Sequence, residues 1–127
     1  MEFSIIETDQ APAPVGPYSQ AICSGNFIFV SGQIALDPTS GLLNQDSIEE
    51  ETELVLKNIQ AILLKAGVGM NRVIKTSIFL TNLDTFVAVN QVYARHFAQS
   101  PPARETVEVS KLPKGARVAI SCIAVTD

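Results

Sequence analysis

The chain has 127 residues, of which 46% are hydrophobic and 17% charged, against about 25% charged in an ordinary soluble domain. A lone domain of this size buries only about two-thirds of its unfolded surface, so the apolar excess predicts a subunit of a compact oligomer. Thirteen acids against nine bases give a formal charge of −4, which argues against general nucleic-acid binding and against an anionic membrane surface as partner. No apolar run approaches the ~18 residues of a spanning helix. Met1-Glu2-Phe3-Ser4 lacks the layout of a secretion signal. The expectation is one cytoplasmic domain over residues 1–127, with Cys23 and Cys122 as reduced, buried thiols.

In chain order, Phe3 to Glu7 reads as a short strand. Ala11-Pro12-Ala13-Pro14-Val15-Gly16-Pro17 comes next as a stiff loop, because its prolines fix φ. Ala21 to Ser24 and Phe27 to about Ile34 are strands joined at Gly25-Asn26, a two-residue pair that tolerates positive φ and predicts a hairpin. Asp37-Pro38-Thr39-Ser40-Gly41 is turn chemistry. Ser47 with Glu50 three residues later has capping-box spacing. Thr52, Val55, Leu56, Ile59, Ile62, Leu63 and Ala66 then recur as one apolar helical stripe that Gly67 ends.

Val73 to Leu80 is a strand. Asn82 is placed to cap a second helix, Leu83 to Ala98, with Phe86, Val89, Val92, Tyr93 and Phe97 on its inner face. Pro101-Pro102 stops it, Ala103 to Val109 is a strand, Leu112-Pro113-Lys114-Gly115 a turn, and Val118 to Val125 the last strand. The order predicts an α+β layer domain with two helices on one face of a sheet. The other face is also rich in Ile, Val and Phe, and has no helix left to cover it.

Most catalytic signatures are missing. There is no Gly-rich phosphate loop, no Cys-x-x-Cys and no metal-ligand spacing, so neither a metal nor a cofactor is expected. His96 is the sole histidine and reads as a solvated residue at a helix end, which leaves Ser-His, Cys-His and zinc hydrolysis without their parts. Four stretches carry polar groups in apolar settings: Gly16-Pro17-Tyr18-Ser19-Gln20-Ala21, Val30-Ser31-Gly32-Gln33, Ala88-Val89-Asn90-Gln91-Val92-Tyr93, and Pro101-Pro102-Ala103-Arg104-Glu105-Thr106-Val107.

These stretches, in this order, with the Leu112-Pro113-Lys114-Gly115 turn before a last apolar strand, resemble the Rid family, the reactive intermediate (imine) deaminases formerly called YjgF, over essentially the whole chain. The resemblance implies a chorismate-mutase-like fold and a homotrimer whose sheets face inward as a barrel, with a ligand cleft between each pair of neighbours. It also implies hydrolysis of 2-aminoacrylate-type enamines and imines to 2-keto acids and ammonia.

Arg104 aligns with the family's substrate arginine, and a guanidinium fork suits a planar carboxylate. Tyr18 would flank the imine, and Gly32, beside Ser31, would offer backbone N–H to the carboxylate. Thr106 shares a face with Arg104 and stands where the family often has cysteine. Asn90 matches a helix asparagine near the cleft, with local packing an equally good account. The family's water-activating glutamate aligns with Ala119, and a second acid with Ser121, so no carboxylate is left on the last strand, and Ser121 remains as a candidate binding residue whose hydroxyl would orient a water but is a weak base. Losing a positioned acid or base costs about 10²–10⁴ in rate. The expectation is a weak 2-iminobutanoate/2-iminopropanoate deaminase binding small 2-imino or 2-keto acids. The alternative is a non-catalytic, metabolite-binding regulatory trimer. A ribonuclease or translation-inhibitor role is disfavoured by the charge and the lone histidine.

Overall fold

The computed structural model describes residues 2–126. Six strands form one sheet: β1 (Phe3–Ile6), β2 (Ala21–Ser24), β3 (Phe27–Gln33), β4 (Val73–Leu80), β5 (Ala103–Glu108) and β6 (Val118–Val125). Their spatial order is β1-β2-β3-β6-β4-β5, with β4 and β5 parallel and all other neighbours antiparallel. Two helices, α1 (Ile48–Lys65) and α2 (Phe86–His96), pack on each other and on one face. This is the expected α+β layering.

The local chemistry accounts for the elements. Ser24 pairs with Phe27 across a two-residue turn in which Gly25 takes φ +58°, so the hairpin forms where glycine permits it. The Ser47 Oγ accepts the Glu50 N–H at 3.0 Å, and Glu49, Glu50 and Glu51 occupy the first turn of α1, where the helix dipole favours acids. At its other end Gly67, at φ +92°, allows Val68 N–H to reach the Leu63 carbonyl and Gly67 N–H the Leu64 carbonyl, the Schellman pattern. Thr52, Val55, Leu56, Ile59, Ile62 and Leu63 form the buried stripe.

The second helix differs from its sequence reading. Asn82 does cap, but its Oδ1 accepts from Asp84 N–H and closes a 3-10 turn, Leu83–Thr85, while α2 begins only at Phe86. The Thr85 hydroxyl donates to the Asn82 carbonyl, which tightens the entry into i→i+3 bonding. The inner-face assignment stands: Val89, Val92, Tyr93 and Phe97 are buried and Phe86 packs against them.

Two local features place the polar stretches. β3 stops at Gln33, and its pairing with β6 shifts between Val30 and Gln33, so that Ser31 and Gly32 together face Ser121. The proline loop is tied down by one buried side chain. Gln20 accepts from Thr8 N–H at 2.7 Å and donates to the carbonyls of Thr8, Ala11 and Pro12.

The strand registers sort the sheet's faces. Thr76, Ile78, Ile120, Cys122, Arg104 and Thr106 point to the helices. On the other face lie Phe3, Ile5, Phe27, Phe29, Phe79, Val107 and Ile123, with Ala119, Ser121, Ser77 and Glu105 among them. No helix covers this side; Phe27 and Phe29 remain 47% and 46% exposed, their rings 6.3 Å apart. Cys122 is buried and Cys23 half-buried, and neither forms a disulfide. None of the helices is long and apolar enough to cross a membrane among the described residues.

Candidate functional site

Arg104 opens the edge strand β5 behind two prolines that cannot continue α2, so its side chain returns over that helix. The guanidinium carbon sits 5.4 Å from the Phe86 ring centroid and 4.9 Å from that of Tyr93. Nη1 donates to Asn90 Oδ1 at 2.7 Å. Asn90 thus positions the arginine rather than merely packing. Stacking on aromatic faces and one fixed hydrogen bond leave the rest of the fork free, and Arg104 makes no ion pair among the described residues. Two hollows flank it, one walled by Asn90, Tyr93, Pro101 and Pro102, the other by Leu83, Phe86 and Thr106. The Thr106 Oγ1 is buried there without a hydrogen-bond partner.

Tyr93 anchors this half. Its hydroxyl bonds Thr76 Oγ1 at 2.7 Å, and its ring lies 4.6 Å from that of Phe97. Burial pushes the phenol up from its ordinary value, against the opposing effects of Thr76 and of the Arg104 charge. It therefore remains a neutral phenol under the arginine.

Tyr18 and Gly32 form a second, separate half. They line a cleft of about 270 Å³ with Pro12, Val15, Gln33 and Pro113. The Tyr18 hydroxyl accepts Val15 N–H at 3.3 Å, folding the aromatic over its own loop while it stays 46% exposed. The Ser31 Oγ donates to the Ser19 carbonyl at 2.6 Å, and Ser31 N–H to the Gln20 carbonyl, locking the bulge to the Tyr18 loop. A Cβ at Gly32 would meet nothing within 4 Å, so open space faces this backbone.

One chain does not bring the two halves together. β3 and β5 are separated by β6 and β4, a lateral distance of about 14 Å for three strand spacings. Ser121 belongs to neither half. It lies on the sheet face opposite Arg104, on a rung with Ser77 and Glu105, and Ala119 lies on that same face beside Phe79. The strand β6 carries no carboxylate.

Three supporting features escape a reading of the sequence alone. Gln20 holds the loop that carries Tyr18. Glu51, fully buried on α1, accepts Arg117 Nε and Arg117 N–H, each at 2.7 Å. Gln45 meanwhile donates to the Gly115 carbonyl at 2.9 Å, so the turn bearing Pro113 is fixed from below. Glu105 receives the Ser77 hydroxyl and pairs with Lys75 Nζ at 3.1 Å. Each pairing joins residues far apart in sequence, and only the preference of a buried acid for a partner hints at Glu51. His96, expected to be solvated, is instead largely buried and bonds Glu53 at 2.9 Å, in a groove beyond the end of α2 that adjoins the Arg104 half at Phe97 and Ala98.

A family model described as Endoribonuclease L-PSP matches residues 8–126. A mouse protein, 2-iminobutanoate/2-iminopropanoate deaminase, is 45% identical over 121 residues, covering 95% of this chain and 90% of its own. A structure from Yersinia pestis, described as of the conserved Rid protein family, superposes with a TM-score of 0.95 at 50% identity, covering 98% of this chain and 99% of that one. E. coli TdcF with bound serine superposes at 0.94 and 37% identity, with 98% and 99% coverage. With the fold, the four sequence stretches and these matches in agreement, the chain belongs to the Rid (YjgF) family, the family of the L-PSP model.

Proposed function

We propose that three copies of this chain assemble through the uncovered sheet face, and that neighbouring copies close a cleft between the Arg104 half of one and the Tyr18–Gly32 half of the next. In that cleft the protein binds small 2-imino and 2-keto acids. It hydrolyses 2-aminoacrylate- and 2-aminocrotonate-type enamines and imines to 2-keto acids and ammonia, at a rate limited by the absence of a carboxylate on β6. The observation that carries this reading is Arg104, stacked between two rings, fixed by Asn90 and lacking an acidic partner in a chain of net negative charge. A guanidinium so held is already organised for a planar carboxylate.

Each residue has a role that its surroundings suit. Arg104 grips the carboxylate, Thr106 gains a partner for its buried hydroxyl, the open backbone at Gly32 admits the ligand close to the chain, and the Tyr18 ring shields the imine from bulk water. The protonated imine is itself a strong electrophile, so holding it against a water accelerates hydrolysis through positioning alone. The mouse deaminase and the serine-bound relative support a small amino-acid-like ligand.

The test adds purified protein to a threonine dehydratase reaction and monitors 2-ketobutyrate release. Acceleration is expected; its absence, with an active relative run in parallel, overturns the deaminase reading. The bare β6 favours a second reading, in which the trimer binds 2-keto acids and signals without turnover. Retained 2-ketobutyrate binding without acceleration would establish that one. A ribonuclease reading has no support from the groups present: the lone histidine is engaged by Glu53, and the net charge is −4.

A further inference from the structure

The strand registers line up one row across the helix-facing side of the sheet: Ala21, Val30, Cys122, Thr76 and Arg104. Thr76 is the one hydroxyl in that row. It is 1% exposed and is the strand neighbour of Arg104. A valine would fill the same β-branched position with no polar atom to satisfy. The threonine hydroxyl instead shares a 2.7 Å hydrogen bond with the Tyr93 hydroxyl, across the gap between β4 and α2.

Tyr93 is a ring against which the Arg104 guanidinium lies, its carbon 4.9 Å from the centroid. A tyrosine hydroxyl sits on the long axis of its ring. The bond to Thr76 therefore fixes where that axis points, and the Phe97 ring, 4.6 Å away at 41°, limits the tilt about it. The torsion that sets this tilt is otherwise soft. Burial raises the phenol above its ordinary value, so the hydroxyl keeps its proton and the bond persists at neutral pH. Asn90, three residues before Tyr93 and on the same face of α2, accepts from Nη1 of Arg104.

We propose, resting on the reading of Arg104 as the carboxylate clamp, that Thr76 is a positioning residue: through Tyr93 it sets the place of the aromatic platform on which the guanidinium lies. The connection is a closed circuit. Backbone pairing of β4 and β5 puts Thr76 beside Arg104, Tyr93 leads from Thr76 to the guanidinium, and Asn90 ties the guanidinium back to α2. Thr76 touches no ligand in this arrangement. Its contribution is to organise the fork before the ligand arrives, which lowers the ordering cost of binding.

Opening the Thr76–Tyr93 bond breaks the circuit where it is buried. A buried phenol left without a partner is costly, so it turns toward another one. The ring face under the guanidinium turns with it, and the stacking that depends on that face weakens. The second ring, Phe86, lies 5.4 Å from the guanidinium carbon and has no polar atom to anchor it, so it cannot take over.

The test measures 2-ketobutyrate affinity by titration calorimetry on the assembled full chain, with urea unfolding in parallel. Thr76→Val is expected to weaken binding about fivefold or more, the order that one lost hydrogen bond carries. Thr76→Ser keeps the hydroxyl and should bind within about twofold of the wild type. Tyr93→Phe loses the same bond and should weaken binding about as much; it decides the matter if Thr76→Val does not fold. Added to Tyr93→Phe, Thr76→Val should change affinity by less than about twofold further, because its hydroxyl acts only through the phenol. Three results overturn the proposal and leave the Arg104 reading standing: wild-type affinity in a folded Thr76→Val or Tyr93→Phe protein, a Thr76→Ser protein as weak as Thr76→Val, or an undiminished effect of Thr76→Val beside Tyr93→Phe. A wild-type protein that binds no 2-ketobutyrate overturns both.

Discussion

Asn90 and Arg104 are joined by a 2.7 Å hydrogen bond that ties the middle of α2 to the start of β5. The bond fixes the roll of the guanidinium between its two rings. Arg104→Ala should abolish 2-ketobutyrate binding in titration calorimetry. Asn90→Ala removes a hydrogen bond to a charged group, worth about 1.5–3 kcal/mol, and should weaken binding roughly tenfold or more while leaving the fold intact. Binding that survives Arg104→Ala would mean the carboxylate site lies elsewhere.

Ala119 stands on the open face, on the rung of Phe79 and Val107. If a missing acid limits turnover, Ala119→Glu should raise dehydratase-coupled kcat by about 10-fold or more, the lower end of what a positioned acid or base supplies being about 10². An assembled variant with unchanged kcat would show that another step sets the rate.

Glu51 is wholly buried, whereas the Arg117 side chain is 41% exposed. The pair is therefore asymmetric: removing the arginine strands a charge in the core, although Arg117 N–H still reaches it. Arg117→Ala should destabilise by about 3 kcal/mol, the lower end for a broken buried pair. Urea unfolding measures this directly, and a loss below about 1 kcal/mol would place the pair among ordinary surface bridges.

The Cys122 thiol is raised by burial from an ordinary 9.0 to about 12. The folded chain keeps a proton that the unfolded chain releases above its ordinary value. Stability is thus unaffected well below pH 9 and falls as pH rises from there toward 12. Cys122→Ala should flatten the alkaline side of the stability profile, and thiol labelling should modify Cys23 before Cys122. Equal labelling rates in the native protein would contradict the burial.

Much of the fold is readable from spacing. The stripe from Thr52 to Leu63 and the Gly67 stop specify α1 because local chemistry alone decides them. Strands such as Val73–Leu80 announce themselves through alternation and β-branched residues. The start of α2 is ambiguous in the sequence because Asn82 caps a 3-10 turn as readily as an α-helix, and here the Asn82 carbonyl accepts from both the N–H and the hydroxyl of Thr85. Arg104 is legible from its Pro-Pro-Ala approach and from the resemblance. The partnerships of Gln20, Glu51 and Glu105 are not, since each depends on tertiary register. Nor does any spacing reveal that the Tyr18–Gly32 half and Arg104 lie three strand spacings apart on one sheet.

That separation has a genetic consequence. A cleft shared between neighbours needs an intact Tyr18 from one copy and an intact Arg104 from another. Under the shared cleft proposed above, two inactive proteins, one altered at each position, would complement when mixed and reassembled, because a mixed assembly regains a cleft in which both residues are whole. Two faulty versions of the chain, damaged in different halves, would then do together what neither does alone.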